Sequence, residues 1–233
     1  MQPASDLAHG KMMRWLFELL SSSIGKKVLM ALTGLFLVSF LVVHLYGNLF
    51  LFVSEEAFNE HAHSFASNVI IRTIEALLFM AIVTHSFTGV YLARQNRVAR
   101  PVRYRRHQAA GTRTLASRSM LLTGSAVFIF LVIHLRGFFY ETRFGSVHEG
   151  ASLYELVTDT FAIPGYAALY VAAMILLAGH LAHGVLSAFR SLGIESARYT
   201  PAIRTFGLFL AVALPAAFAS MPIYFVIQGG GGA

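Results

Sequence analysis

Five of the ten histidines in this 233-residue chain lie inside long uncharged stretches: His44, His85, His134, His180 and His183. A polar side chain at membrane depth costs free energy, so it usually serves a function there. A single histidine of this kind can simply bond to a neighbouring helix, but here four separate apolar stretches each carry at least one. The pattern indicates a shared site built from several helices. The other five histidines lie in polar segments and are expected to be ordinary solvated residues: His9, His61, His63, His107 and His148.

The depths of these histidines along their helices fall into two groups. Counted from the basic end of each helix at 1.5 Å per residue, His44 and His134 lie about 26 and 24 Å deep. On the same count, His85 and His180 lie about 14 and 15 Å deep. The first and third helices therefore share an outer level, and the second and fourth share an inner one.

A weak internal repeat supports this pairing. The first and third helices contain His44-Leu45-Tyr46-Gly47 and His134-Leu135-Arg136-Gly137. His85 and His180 are each followed four residues later by a glycine, Gly89 and Gly184. That glycine lies on the same helical face, where a large flat ligand can approach the backbone only if the side chain is missing. The repeat favours His180 as the ligand on the fourth helix, and His183 remains an alternative.

Paired imidazoles with no thiolate or carboxylate beside them are typical of bis-histidine haem ligation. Zinc normally takes three or four protein ligands, which neither level supplies. The chain contains no cysteine, which excludes iron–sulfur clusters, covalently attached c-type haem and thiolate zinc sites. The spacing therefore predicts two b-type haems stacked across a membrane, one held by His44 and His134 and the other by His85 and His180.

The composition places these helices in a lipid bilayer. Hydrophobic residues make up 56% of the chain and charged residues 12%, with a mean hydropathy of +0.64; a soluble domain carries about twice that charged fraction. Five uncharged stretches have the roughly 17 or more residues that a membrane crossing requires: 28–53, 76–93, 119–135, 160–189 and 205–233. Their apolar residues do not alternate strictly, so the chain is predicted to be an all-α bundle of five transmembrane helices.

The predicted organisation has three parts. Residues 1–25 are expected to form an interfacial segment, because Met12 to Leu20 is amphipathic and no signal-peptide cleavage site precedes the first span. Residues 26–228 form the transmembrane domain, with helices at about 27–52, 72–97, 118–140, 162–190 and 202–228. The last helix lacks histidine and contains Pro215 and Pro222, so it is expected to be peripheral and kinked. Residues 229–233 form a Gly-rich tail.

Basic residues predict the orientation. Fifteen of the 18 Lys and Arg residues lie in the N-terminal segment and in the second and fourth connections, whereas eight of the eleven acidic residues lie on the other side. By the positive-inside rule, the N-terminus is cytoplasmic and the C-terminus lies outside. The net charge of +7 therefore indicates contact with anionic lipid headgroups. The eight arginines of the second connection also favour an acidic cytoplasmic partner.

Several short motifs surround the intramembrane histidines. They are Ser22-Ser23-Ile24-Gly25-Lys26-Lys27, His44-Leu45-x-x-Asn48, His85-x3-Gly89-Val90-Tyr91, Arg97-x-Ala99-Arg100-Pro101-Val102-x-Tyr104, and His180-x3-Gly184-x2-Ser187-x-Phe189 with Leu192-Gly193. In these motifs the chain resembles, over nearly its whole length, the di-haem, five-helix cytochrome b anchor subunit of succinate dehydrogenase and fumarate reductase.

The resemblance implies a function and partners. The family holds a flavoprotein and an iron–sulfur subunit on the cytoplasmic face of the bacterial cytoplasmic membrane, in complexes that can form higher oligomers. It exchanges electrons between succinate or fumarate and a quinone, often menaquinone, while the succinate chemistry resides in the other subunits. The resemblance implies that His85 and His180 bind the haem nearer the iron–sulfur subunit, and that His44 and His134 bind the distal haem. Because some relatives carry asparagine at the position of His183 and others place the ligand directly before the glycine, His183 stays open as a ligand.

Haem propionates at each level need cationic or hydroxyl partners. The candidates at the inner boundary are Arg190, Ser22, Ser23 and Lys26. On the outer side, Arg136 follows His134 by two residues and departs from the positive-inside rule, which favours a propionate contact there.

Quinone reduction consumes two protons, so a quinone site needs a carboxylate or histidine within reach. Glu75, just inside the outer end of the second helix, is the primary candidate. With Arg72 three residues earlier, Glu75 is equally well placed for an ordinary ion pair at the membrane boundary. Glu60 and His63 in the outer loop are weaker alternatives, and an inner site near Trp15 stays open.

Three other functions remain open at the level of the sequence. The anchor of another membrane oxidoreductase, such as a hydrogenase or a formate dehydrogenase, shares the haem ligation and differs in its soluble partner. A histidine-containing transporter or proton channel predicts no visible chromophore, and usually needs midplane carboxylates that this sequence lacks. A purely structural anchor predicts that removing the four histidines leaves the spectrum and electron transfer unchanged.

Overall fold

The computed structural model describes Arg14, Glu18, residues 22–98 and residues 115–230. Every regular element in these ranges is helical. The α-helices are α1 (Ser23–Leu49), α2 (Glu55–Ser67), α3 (Val69–Val98), α4 (Leu115–His134), α5 (Tyr140–Phe144), α6 (Leu153–Ala162), α7 (Pro164–Ser191) and α8 (Thr200–Gly230). A 3₁₀ turn, Phe50–Phe52, extends α1, and a π-helical turn, Leu135–Phe139, joins α4 to α5.

Five helical segments are long and apolar enough to cross a membrane, which confirms the predicted all-α bundle. They are Ser23–Phe52, Val69–Val98, Met120–Phe144, Pro164–Ser191 and Thr200–Gly229. Their mean hydropathy lies between 1.7 and 2.4, and the shortest has 25 residues. Such a helix is about 37 Å long and exceeds a hydrocarbon core of about 30 Å. The chain is therefore a multi-pass membrane protein whose helices contact lipid.

Two short helices that the sequence analysis assigned to connections cover one end of the bundle. Both begin at a serine N-cap: Ser54 accepts a hydrogen bond from the Ala57 amide, and Ser152 accepts one from the Glu155 amide. The two helices are joined to each other through the side chain of Asn59. Its Nδ2 donates to Ser152 Oγ at 2.9 Å, and its Oδ1 accepts from the backbone N–H of Tyr154 at 3.0 Å. This end also carries the acidic residues of α2 and α6, so it corresponds to the predicted outer side.

The prediction that the fifth span is peripheral was wrong. One third of the most apolar window is buried in both α7 and α8, compared with 6% or less in the other three spans. Pro222 is fully buried, and Ala211 and Met221 are 1% and 3% exposed. Helix α8 packs along α7 and also contacts α1 and α6. Small residues such as Ala211 let helix backbones approach closely in a membrane. The lack of a histidine in this span, on which the prediction relied, gives no information about that packing.

The bundle therefore has a packed half and an open half. Helices α7 and α8 form the tightly packed half, where Ala173, Met174, Leu177, Leu181 and Ala211 make one buried cluster. Helices α1, α3 and α4 expose large apolar side chains over much of their surfaces, as expected for helices that contact lipid. The intramembrane histidines lie where these two halves face each other.

Candidate functional site

The outer level is a pair of imidazoles contributed by α1 and α4. The ring centroids of His44 and His134 lie 5.8 Å apart, with the ring planes 85° from parallel. Phenylalanine rings surround them: Phe40 stacks on His44 at 5.3 Å, Phe218 of α8 lies 5.7 Å from the same ring, and Phe138 lies 5.4 Å from His134. The sequence placed these two histidines at the same depth, and the structure brings them together.

Two polar groups contact this outer pair. The Tyr170 hydroxyl of α7 lies 3.4 Å from His134 Nδ1. The Asn48 side-chain amide donates to the backbone oxygen of His44 at 2.8 Å and lies 3.4 Å from each ring nitrogen of that histidine. Such neighbours orient an imidazole and select which of its nitrogens carries the proton.

The inner level is a second pair of imidazoles, contributed by α3 and α7. The ring centroids of His85 and His180 lie 6.3 Å apart, with the planes 72° from parallel. His180, rather than the alternative His183, is the residue of α7 whose ring meets His85. Within the described part of the chain, the buried Nδ1 atom of His180 has no hydrogen-bond partner, whereas His85 Nδ1 lies 3.3 Å from the Thr33 hydroxyl of α1.

Two glycines make room for the inner imidazoles. A β-carbon added to Gly34 of α1 would lie 3.0 Å from His85 Cε1, and one added to Gly124 of α4 would lie 3.2 Å from His180 Cε1. Both distances are shorter than ordinary carbon–carbon contacts of about 3.5 Å or more. A side chain at either glycine would therefore displace the ring that it faces.

Helices α1 and α4 repeat this arrangement, with a constant offset of 90 residues between equivalent positions. Met30, Thr33, Gly34, His44 and Gly47 recur as Met120, Thr123, Gly124, His134 and Gly137. The repeated methionines make equivalent contacts, because each methyl group faces the glycine that follows an inner histidine. This Met-x-x-Thr-Gly motif is visible in the sequence, but its role is apparent only once α3 and α7 are seen to cross it.

The methionine contacts qualify one expectation from the sequence. Gly89 and Gly184 were expected to leave space for a flat ligand beside His85 and His180. A β-carbon at Gly89 would lie 3.2 Å from the Met30 methyl, and one at Gly184 would lie 3.6 Å from the Met120 methyl. Methionine is flexible at three side-chain bonds, so these methyl groups can move aside for a ligand, whereas the backbone could not.

The repeat also gives the separation of the two levels. Gly34 lies at the inner level beside His85, and His44 on the same helix lies at the outer level ten residues later. Ten residues of α-helix rise about 15 Å. The same ten-residue interval separates Gly124 from His134 on α4. The two imidazole pairs therefore lie about 15 Å apart along the bundle axis.

The geometry of both pairs fits a metal ion held between two imidazoles. An imidazole nitrogen binds a first-row metal at about 2 Å, so two rings on opposite sides of one ion have centroids about 6 Å apart. The observed 5.8 and 6.3 Å match that spacing. All four imidazoles are only half-buried although they lie within the candidate membrane spans, so space remains beside them. The glycine-lined walls also agree with a flat metal-containing ligand.

Four of the five side chains expected to contact propionates have protein partners in the structure. Arg136 pairs with Glu141 at 2.8 Å, and Arg190 pairs with Glu195 at 3.2 Å. Lys26 lies 4.5 Å above the Tyr91 ring and donates to its hydroxyl at 3.3 Å. The remaining two are serines at the start of α1. Ser22 caps that helix by accepting a hydrogen bond from the Gly25 amide, and Ser23 is exposed.

The π-helical turn Leu135–Phe139 begins directly after His134. Such turns are rare and are frequent at functional sites. In the first copy of the repeat, α1 instead ends in the 3₁₀ turn Phe50–Phe52 beyond His44. The outer ends of α1 and α4 therefore differ, although their Met-x-x-Thr-Gly motifs make equivalent contacts at the inner level.

Glu75 is an ion-paired carboxylate that connects two spans. Its Oε2 atom accepts a hydrogen bond from Arg143 at 2.7 Å and lies 3.5 Å from Arg72 Nη1. The Arg143 side chain is 18% exposed, so this pair is partly shielded from water. The interaction links α3 to α5 at the outer end of the bundle.

His61 is not the solvated residue that the sequence analysis expected. It stacks on Phe50 with ring centroids 4.6 Å apart and lies 4.4 Å from the Phe65 ring. A β-carbon on Gly47, one helical turn after His44, would lie 3.1 Å from His61 Nε2. The sequence signal that points to this contact is the glycine itself, which allows a side chain of α2 to lie against α1.

A groove opens beside His61. Its volume is about 270 Å³, and it is lined by Phe50, Ala57, Glu60, His61 and Ser64. An aromatic wall, an imidazole and a carboxylate therefore meet at the outer end of α1, close to the His44 level. His63 of the same helix is exposed.

Several sequence predictions lie outside the described residues. They concern Trp15, most of the interfacial segment, the middle of the Arg-rich second connection, His9, His107 and residues 231–233. In the interfacial segment, Arg14 and Glu18 are helical and form an ion pair at 3.0 Å, and residues 22–25 form the N-cap and first turn of α1.

No protein-family model, no curated protein and no solved structure matches this chain.

The glycine contacts generate a testable prediction. Replacing Gly34 with alanine places a methyl group 3.0 Å from His85 Cε1, so the inner imidazole pair should lose its spacing while the outer pair keeps it. If each imidazole pair holds one haem, Gly34→Ala and Gly124→Ala should each halve the haem bound per chain, measured by pyridine haemochrome.

Gly179→Ala is the matched control, because Gly179 directly precedes His180 and a β-carbon there meets nothing within 4 Å. Alanine also favours a helix over glycine by about 1 kcal/mol, so this variant should fold and keep its haem. Full haem binding by Gly34→Ala would contradict the assigned inner site.

Proposed function

We propose that this chain is the membrane-anchoring cytochrome b subunit of a succinate:quinone oxidoreductase. The observation that carries the proposal is the presence of two imidazole pairs, with ring centroids 5.8 and 6.3 Å apart, at two depths of one helical bundle. Each pair offers two nitrogen ligands and, in the part of the chain that the structure describes, no third His, Cys, Asp or Glu ligand, as bis-histidine haem b requires. The motifs around these histidines resemble the di-haem anchor family.

Haem at each level, when bound, supplies one-electron redox chemistry. The chain's own residues hold the planes of the imidazole rings, exclude water and set the electrostatic environment of each level. At the outer level, Phe40, Phe138 and Phe218 make an apolar surround, and Tyr170 contacts His134. At the inner level, Thr33 and the glycines Gly34 and Gly124 hold the rings. The two levels therefore differ chemically, which favours different haem potentials.

The charge distribution supports the orientation, and the family resemblance supplies the partners. We place the basic ends of the helices in the bacterial cytoplasm, where a flavoprotein and an iron–sulfur subunit would dock. Arg190 and Arg198 are on the described part of this face, and the acidic helices α2 and α6 cover the opposite end. Electrons from succinate would then enter at the His85–His180 level and leave near the His44–His134 level.

The groove beside His61 is the candidate site for a quinone. Its aromatic wall can stack on a quinone ring, and Glu60 and His61 can deliver the two protons that reduction consumes. The groove adjoins Gly47, one turn beyond His44. We therefore place menaquinone reduction or menaquinol oxidation at this groove, and give Glu75 the alternative role that Arg72 and Arg143 support, an ion pair between spans.

Single histidine variants test the cytochrome proposal. In a complex purified through a tag on this chain, His85→Ala or His180→Ala should remove the inner haem, and His44→Ala or His134→Ala the outer one. Each variant should keep about one b-type haem per chain, because each level has its own ligand pair. His148→Ala is the control, since His148 is exposed on a loop and should not alter haem content.

The same purified complex tests the choice of partner. Succinate should reduce the haems of the wild-type complex, and the co-purified subunits should include a flavoprotein and an iron–sulfur protein. Haem reduction by hydrogen or formate, with the corresponding soluble subunits, would reject the succinate assignment and support the anchor of another oxidoreductase.

The quinone groove generates a separate prediction. Glu60→Gln and His61→Ala should lower succinate:menaquinone reductase activity by about 10²-fold, the typical contribution of a positioned acid or base. The haem content and the reduction of haem by succinate should remain unchanged. Glu56→Gln, an exposed carboxylate on the same helix, should leave all three measurements unchanged.

Glu75→Gln separates the two carboxylate assignments. Loss of the ion pair with Arg143 should lower the melting temperature of the complex, because it leaves a partly buried guanidinium unpaired. A Glu75→Gln variant with full stability and a 10²-fold loss of quinone reduction, together with a fully active Glu60→Gln variant, would move the quinone site to Glu75.

A further inference from the structure

Thr33 is the polar side chain that the structure places against the inner histidine of α3. Its Oγ1 atom lies 3.3 Å from His85 Nδ1. The same oxygen donates to the backbone oxygen of Leu29 at 2.8 Å and lies 3.2 Å from that of Met30. Threonines in transmembrane helices commonly make this bond to the preceding turn.

The number of available protons determines which partner donates. A threonine hydroxyl has one proton and two acceptor lone pairs. The proton is engaged by the carbonyl oxygens of the preceding turn of α1, and the contact at 2.8 Å is the shortest. With this proton directed to the Leu29 carbonyl, Thr33 Oγ1 accepts from His85, and Nδ1 of His85 then carries the imidazole proton. A neutral imidazole protonated at Nδ1 has its free lone pair on Nε2.

Gly34 allows this contact to form. The α1 backbone at Gly34 lies beside the Nδ1–Cε1 edge of the His85 ring, where a β-carbon would be 3.5 and 3.0 Å from these two atoms. The adjacent residues Thr33 and Gly34 therefore act together. Thr33 accepts the hydrogen bond from Nδ1, and Gly34, which has no side chain, lets the His85 ring approach α1. The His180 ring lies 6.3 Å from the same imidazole.

We propose that Thr33 is a positioning residue that holds His85 in the Nδ1-protonated form and so presents Nε2 as the ligand to the inner haem iron. This inference rests on the proposed haem function and adds to it the residue that orients one ligand. Hydrogen bonding from the distal nitrogen of a metal-bound histidine raises the basicity of the ligand. A more basic ligand stabilises ferric over ferrous iron, so Thr33 lowers the potential of the inner haem.

The effect is confined to one level. The outer histidine His134 has a different neighbour, the Tyr170 hydroxyl, on another helix. Thr33 and His44 both belong to α1 but are separated by 11 residues, about 16 Å along the helix. A change at Thr33 should therefore leave the outer haem unaltered, which distinguishes loss of a specific bond from general damage to the bundle.

The experiment compares Thr33→Val, which keeps the shape and removes the hydroxyl, with Thr33→Ser, which restores the hydroxyl. Redox titration of the purified complex, followed at the haem absorption bands, gives the two midpoint potentials, and electron paramagnetic resonance of the ferric haems reports the ligand field. We expect Thr33→Val to raise the inner potential by about 59 mV, equivalent to a tenfold loss of ferric stabilisation. Thr33→Ser should retain the wild-type potential.

Thr160→Val is the matched control. Thr160 is also half-buried and bonded to the carbonyl oxygen four residues earlier, at 2.6 Å, but lies on α6 away from the inner pair. It should change neither potential. If Thr33→Val loses the inner haem altogether while Thr33→Ser keeps it, the requirement for the hydroxyl is equally supported.

Two results would overturn the inference. One is a Thr33→Val complex with two haems and unchanged potentials and resonance spectra. The other is a Thr33→Ser variant that behaves like Thr33→Val, because the hydroxyl would then have no role. Both differ from failure of the proposed function, in which the wild-type complex itself would bind no haem.

Discussion

An imidazole in the hydrocarbon core of a bilayer has no water to satisfy its ring nitrogens, and the rest of this structure depends on that constraint. Four such rings lie on four different helices, and each pair meets across the bundle at a centroid distance close to 6 Å. A metal ion between two rings satisfies one nitrogen of each, and a neighbouring hydroxyl or amide can satisfy the other. The long apolar helices carry the four rings, and the glycines beside the inner rings and the polar contacts of Thr33, Asn48 and Tyr170 surround them.

The internal repeat explains how one chain can build two levels. Helices α1 and α4 carry the same Met-x-x-Thr-Gly wall, and each bears its own outer histidine ten residues after the glycine. Helices α3 and α7 supply the inner histidines that face these walls. Helix α8 has no counterpart in the repeat and packs along α7, where its buried residues stabilise the side of the bundle that holds His180. The outer ends of the repeats differ: the first adjoins the aromatic groove with His61, and the second continues into the π-helical turn.

Much of the fold could be predicted from the sequence because lipid imposes strong rules on it. Uncharged stretches of sufficient length gave the five spans, and counting residues along them placed His44 with His134 and His85 with His180. The packing of α8 could not be predicted in this way, since Pro215 and Pro222 indicate the shape of that helix and not which helices pack against it. The partners of Arg136 and Arg190 were also missed, because Glu141 approaches Arg136 through the π-helical turn and Glu195 approaches Arg190 through the turn that follows α7. His61 was missed since its aromatic neighbours come from both α1 and α2.

The measurement that tests this account most directly is the amount and type of haem in the purified wild-type protein, by reduced-minus-oxidised spectroscopy and pyridine haemochrome. Two imidazole pairs predict about two b-type haems per chain. One haem per chain would contradict the two-level arrangement. A well-folded protein that binds none, although produced with haem supplied, would contradict the central claim that these histidines are haem ligands.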